Sequence, residues 1–182
     1  MKKITKNLLV LSLLVFGLQS CSEDNDRPEM INEEEVITSV RVTLTSANET
    51  VSMSSVDLDG DGPNPPVVNV QGNLGSNKTY TGSIRFLNEA ESPAEEITEE
   101  VAEEADEHQV FYTFSGGISS VIATDTDSNS NPLGLTFNLT TNEAGNATLG
   151  FTLRHEPKKP NAGILDAGGE TDVEVLFNVV VE

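Results

Sequence analysis

The 182-residue chain has no tryptophan, two tyrosines and a single cysteine, and its ten lysines and arginines face thirty aspartates and glutamates. Each scarcity excludes something. Without tryptophan the chain lacks the flat stacking platforms that carbohydrate-binding modules present to sugar rings. With a net charge of −20 it has no basic footprint, so nucleic acid is excluded as a ligand. One cysteine leaves no internal disulfide and no thiolate zinc cluster. Several motifs are also missing: there is no glycine-rich phosphate loop, no G-x-S-x-G elbow and no H-E-x-x-H. Carboxylates are abundant, but a glycosidase needs one of them protonated in an apolar, sugar-shaped cleft, which a solvated acidic surface does not supply. A non-enzymatic role is the expectation.

The start of the chain is of another kind. Lys2, Lys3 and Lys6 precede an apolar run from Leu8 to Leu18, the layout of a secretory signal and too short for a membrane span. It ends in Leu18-Gln19-Ser20-Cys21, which resembles a bacterial lipobox with Cys21 as the lipidated residue. The expected organisation is a signal peptide over 1–20, an acidic flexible tether over 21–35 and one domain over 36–182. Without residues 1–20 the net charge falls to −23, because three lysines leave and no acid does.

From Val36 onward, apolar and polar residues alternate with period two in about nine short runs separated by Gly, Asn and Ser turns. The expected fold is all-β, an immunoglobulin-like sandwich. A weak internal duplication underlies it. Val40–Val56 aligns with His108–Thr124 at an offset of 68, and the following segments align at an offset of 67. One stretch departs from the strand pattern. Ser92-Pro93-Ala94-Glu95 reads as a capping box, and Ala94, Ile97, Val101 and Ala105 keep helical spacing, which predicts a helix over about 93–106. Its remaining faces are nearly all glutamate, and like charges at i,i+4 cost roughly 0.2–0.5 kcal/mol per pair.

If successive strands alternate in direction, the connections fall alternately at two ends of the sandwich. The tether, both Asp-rich loops, the acidic helix and the loop after His155 then share one end, with 26 of the 30 carboxylates and both histidines. Asp57, Asp59 and Asp61, followed by Gly62, resemble the first half of a calcium loop: hard oxygens at alternate positions, then a glycine. Asp125, Asp127 and Asn129 repeat the spacing. Asx-turns between strands are the competing explanation for both loops. His108 beside Asp106, and His155 beside Glu156, could together form a two-histidine, carboxylate site for zinc or another transition metal. His108 could equally cap the negative end of its helix.

Several segments carry a resemblance: Asn32–Glu35, Val40–Leu44, Asp57–Gly62, Leu87–Ile97, Glu104–Gln109, Leu153–Pro157 and Ala167–Asp172. Together they are similar to a group of Bacteroidota lipoproteins often labelled "type 1 periplasmic binding fold superfamily". Ser22-Glu23-Asp24-Asn25-Asp26 likewise resembles the acidic tag of such lipoproteins exported to the outer face of the outer membrane. The label implies two α/β lobes, whereas the residue pattern gives a β-sandwich. The resemblance also implies association with a TonB-dependent receptor. The resulting expectation is a monomeric, lipid-anchored outer-membrane module that binds Ca²⁺, or zinc or another transition metal, and assists a receptor. The alternative is a structural or adhesive surface lipoprotein with no specific small ligand.

Overall fold

The computed structural model describes residues 35–60 and 62–182. The signal peptide, Cys21, the tether up to Glu34, and Asp61 lie outside the described residues. Ten strands and two short helices follow one another: β1 (Ser39–Ser46), β2 (Glu49–Val56), β3 (Val67–Gln71), β4 (Thr79–Asn88), β5 (Glu95–Glu96), α1 (Ile97–Glu103), β6 (His108–Gly116), β7 (Ile118–Ala123), β8 (Thr136–Thr141), β9 (Gly145–His155), α2 (Ile164–Ala167) and β10 (Glu170–Val181).

The strands form two antiparallel sheets. The larger runs β3-β2-β1-β4-β8-β7, with β5 on the end of β4, and the smaller runs β10-β9-β6. Val40, Val42 and Leu44 of β1 point inward from the larger sheet, and Leu149, Phe151 and Leu153 of β9 do so from the smaller. Aromatic rings cross the interface. Phe137 of β8 lies 5.2 Å from Tyr112 of β6 and 5.5 Å from Phe151 between ring centroids. This is the all-β sandwich that the period-two pattern predicts, and it has none of the two-lobed α/β character of the label.

The duplication survives in the pairing. Within each copy the first strand pairs with the fourth (β1–β4, β6–β9) and the second with the third (β2–β3, β7–β8). The copies differ at the first turn. β1 and β2 remain paired, whereas Gly116-Gly117 carries the chain from β6 in the smaller sheet to β7 in the larger. Register also corrects the alignment. Val40 faces Phe86, and His108 faces His155, so the second half of the repeat sits at an offset of 69 rather than 67.

The helix is shorter than its apolar spacing predicts. Glu95 and Glu96 pair with Asn88 and Leu87 as β5, so helix begins only at Ile97. Thr98 Oγ1 anchors it, accepting from Phe86 N at 2.8 Å and donating to Phe86 O at 3.1 Å. Strand pairing of the Glu95 backbone takes that residue out of the capping box. Ile97 and Val101 still bury the apolar stripe.

Gly82 lies between Leu44 and Phe137 in the larger sheet, and a Cβ there would stand 2.2 Å from the Phe137 ring. Gly82→Ala is therefore expected to lower stability by roughly 1–3 kcal/mol through overpacking. Chemical denaturation measures this, and an unchanged midpoint would contradict the close ring approach.

Candidate metal centre

Antiparallel pairing places the start of β6 against the end of β9, so His108 and His155 stand directly opposite one another. Both side chains face inward and are buried, at 0% and 3% exposure. Their rings stack, with centroids 4.8 Å apart and planes 12° from parallel. The third member comes from before β1. Glu35 brings Oε1 to 2.9 Å from His108 Nε2, with its side chain 5% exposed. One ligand atom from each of the three residues falls within 4.8 Å of the others, so the group could hold a metal ion. Donors sharing a tetrahedral zinc ion at about 2.0–2.2 Å stand about 3.3–3.6 Å apart, so closing on an ion takes a movement on the order of 1 Å.

Proton placement makes the group unusual. His108 Nδ1 lies 3.2 Å from the backbone carbonyl of Glu104. A carbonyl only accepts, so Nδ1 carries a hydrogen. In a neutral ring, Nε2 would then present a lone pair to the Glu35 carboxylate, which is repulsive. Something must lie between the two lone pairs, either a proton carried by one of the groups or a metal ion. The Nε2–Oε1 approach is close but not aligned as a hydrogen bond, and the buried Glu35 Oε2 has no hydrogen-bond partner among the described residues. A ring held through Nδ1–H by a backbone carbonyl, with Nε2 aimed at a carboxylate, is the arrangement that orients metal-ligating histidines. Glu100 of α1 adds negative potential nearby. Burial, and then repulsion from Glu35, Glu104 and Glu95, raise its carboxyl above the usual range, with His108 partly opposing them.

The residues beside the histidines in sequence have other partners. Asp106 accepts from the backbone N of Ser128 at 3.0 Å and from Ser128 Oγ at 2.7 Å, tying the helix exit to the second Asp-rich loop. Glu156 is exposed at φ 48, and its backbone N donates to Glu107 O. Glu35 takes the carboxylate position instead. Its one sequence signal is that strand parity puts the end of the tether at the same end as both imidazoles.

The Asp-rich loops are placed at that end too, on opposite edges of the larger sheet. In the second, Asp125 Oδ1 and Oδ2 accept from Gly134 N and Thr136 N. Asp127 Oδ1 accepts from the backbone amides of Asn129 and Asn131, an Asx-turn arrangement. Its Oδ2 lies 3.3 Å from Lys159 Nζ, an ammonium only 6% exposed that also donates to Ala105 O and His108 O. Lys159 thus supplies the cation of this loop from the chain itself. The Asn129 side chain donates to Asp106 Oδ1 at 3.4 Å. In the first loop Asp59 accepts from Asn64 at 2.6 Å, and Asp57 Oδ1 is buried with no hydrogen-bond partner among the described residues.

No protein-family model, curated protein or solved structure matches the chain.

Burial alone would raise the Asp127 carboxyl, but hydrogen bonds from Asn131, Lys159 and Asn129 outweigh it and hold the group below its usual range. A depressed carboxyl contributes stability above its unfolded value, near pH 4, and loses it as pH falls through the folded value. Urea midpoints measured below about pH 4 should therefore decline more steeply in the wild type than in Asp127→Asn. Near neutral pH, Lys159→Met should cost roughly 1–3 kcal/mol, since two carbonyls and a carboxylate lose their donor.

Proposed function

We propose that this protein is a non-enzymatic, lipid-anchored module of the outer membrane that binds a divalent transition metal, of the zinc class, at Glu35, His108 and His155. Neutral imidazole suits zinc, copper, nickel and iron, and one carboxylate with two imidazoles is a common ligand set for such ions. The observation that carries the reading is the pair Nδ1–carbonyl and Nε2–carboxylate on His108, which calls for a proton or a metal ion between a buried ring and a buried acid.

The repeat supplies a control within the same chain. At the equivalent register positions the first copy carries Val40 and Phe86, each 1% exposed. The fold can therefore fill this place with hydrocarbon, and the second copy fills it with two imidazoles. Burying His108 beside the Glu35 carboxylate without an aligned hydrogen bond between them costs free energy, so a compensating ligand explains that pair better than packing does. The acidic end would raise the local concentration of cations and repel anions over about 8–10 Å. The signal segment and Cys21 support the membrane anchor, and the likeness to receptor-associated lipoproteins supports an accessory role beside a TonB-dependent receptor.

Isothermal titration of metal-stripped protein with Zn²⁺ tests the reading. About one equivalent should bind, and a zinc concentration of ~100 Kd should stabilise the fold by ~2.7 kcal/mol. That corresponds to a rise of roughly 5–10 °C in Tm for a domain of this size. His108→Ala and His155→Ala should each abolish most of the rise, while Asp125→Asn should leave it intact. Equal zinc binding by His108→Ala would reject the site.

A further inference from the structure

The three ligands are not held alike. His108 and His155 sit in paired strands, are buried from all sides and stack on one another. Glu35 belongs to a short arm ahead of the sheet. The first firm anchor after it is Thr38. Its amide donates to Leu87 O at 3.0 Å, its carbonyl accepts from Asp57 N at 2.8 Å, and its Oγ1 accepts from Glu89 N at 2.8 Å. Between Glu35 and Thr38 no backbone hydrogen bond occurs among the described residues. Val36 is 60% exposed, and Ile37 alone packs against the core. The arm is therefore held by one apolar side chain and by the Glu35–His108 approach.

Resting on the metal-binding reading above, we propose that Glu35 is a detachable clasp: arm 35–37 hinges at Thr38, closes over the ion, and governs its release. With an ion between Glu35 and the two rings, the carboxylate has its counter-charge and the arm is seated. When the arm lifts, the ion loses its only anionic ligand of the three and is left on two neutral imidazoles, from which it dissociates faster. Glu100 sharpens the contrast, because a carboxylate seated near it without a cation meets like charge. Anything that pulls on the exposed Val36 side of the arm would thus unload the site without disturbing the sandwich.

Hydrogen exchange and zinc dissociation, measured on the full chain, test this together. Saturation with Zn²⁺ should slow exchange of the Thr38 amide, whose bond to Leu87 O anchors the arm, by roughly tenfold or more, with little change in the β8 amides. Ile37→Ala leaves every ligand in place and should speed zinc dissociation into a chelator by roughly tenfold, through weaker seating of the arm. Glu35→Gln should speed it further and remove the zinc-dependent slowing of exchange. If zinc binds while Thr38 exchange is unchanged, or if Ile37→Ala releases zinc at the wild-type rate, the clasp is overturned and the two-histidine site stands. If the wild type binds no zinc, the metal-binding reading falls and takes the clasp with it.

Discussion

The antiparallel register of β6 with β9 is the constraint from which the rest of this end of the molecule follows. It sets His108 opposite His155 on the inner face, with no freedom to place either ring at the surface. A one-residue slip of β9 would turn His155 outward, but it would also expose Leu149, Phe151 and Leu153. Burying those side chains at roughly 25 cal/mol per Å² far outweighs any preference of the imidazoles for water. The core therefore holds the histidines in place, and the local chemistry must adapt to them. Adaptation takes two forms: a backbone carbonyl for one nitrogen of His108 and the carboxylate of Glu35 for the other.

The duplication sharpens this point. Two copies share the pairing of first with fourth and second with third strands, yet only one keeps its first hairpin within a single sheet. Opening the second hairpin moves β6 and β9 out of the larger sheet, and β10 then covers the outer edge of β9. The His108–His155 pair thus faces the end of the larger sheet instead of continuing it, and the arm before β1 reaches it from that side. In the first copy the same register positions, Val40 and Phe86, lie within the larger sheet as ordinary core.

The acidic end is several neighbourhoods rather than one site. The Asp-rich loops lie about four strands apart on the larger sheet, about 19 Å at the usual spacing, beyond a Debye length of ~8–10 Å. Each has its own answer to its charge. The second loop uses Lys159, backbone amides and Asn131. The acidic helix uses a strand: Glu96 pairs with Arg85, and Lys159 takes the Ala105 carbonyl just beyond its last turn. Arg41 does the same for Glu89 beside β1. Glu35 and His108 differ from these ion pairs in that both side chains are buried, and among the described residues Glu35 Oε2 has no hydrogen-bond partner.

What could be read from the residues follows from the range of the forces involved. Strand alternation is local and repeated, so β1, β4, β9 and β10 were legible from Val40, Ile84, Phe151 and Phe177 facing inward. Direction alternation is a topological consequence of short connections, and it placed both histidines at one end. Register is different, because it depends on packing across strands. Sequence similarity alone aligned Phe86 two positions short of His155, and only the pairing brings the two imidazoles face to face. The helix start likewise hinged on a nonlocal choice, the pairing of Glu95 and Glu96 with the end of β4, which no capping signal anticipates. Glu35 was the least legible of all. In a run of three glutamates ahead of the first strand it looks like more solvated linker, and its role comes entirely from a contact spanning 73 residues with a ring that lacks any other counter-charge on Nε2. A carboxylate that leaves water for a buried, imperfectly aligned approach to an imidazole is costly unless a proton or a cation lies between them, and among the described residues the nearby Arg41, Arg85, Lys158 and Lys159 pair with other carboxylates while Arg154 donates to the Gly169 carbonyl.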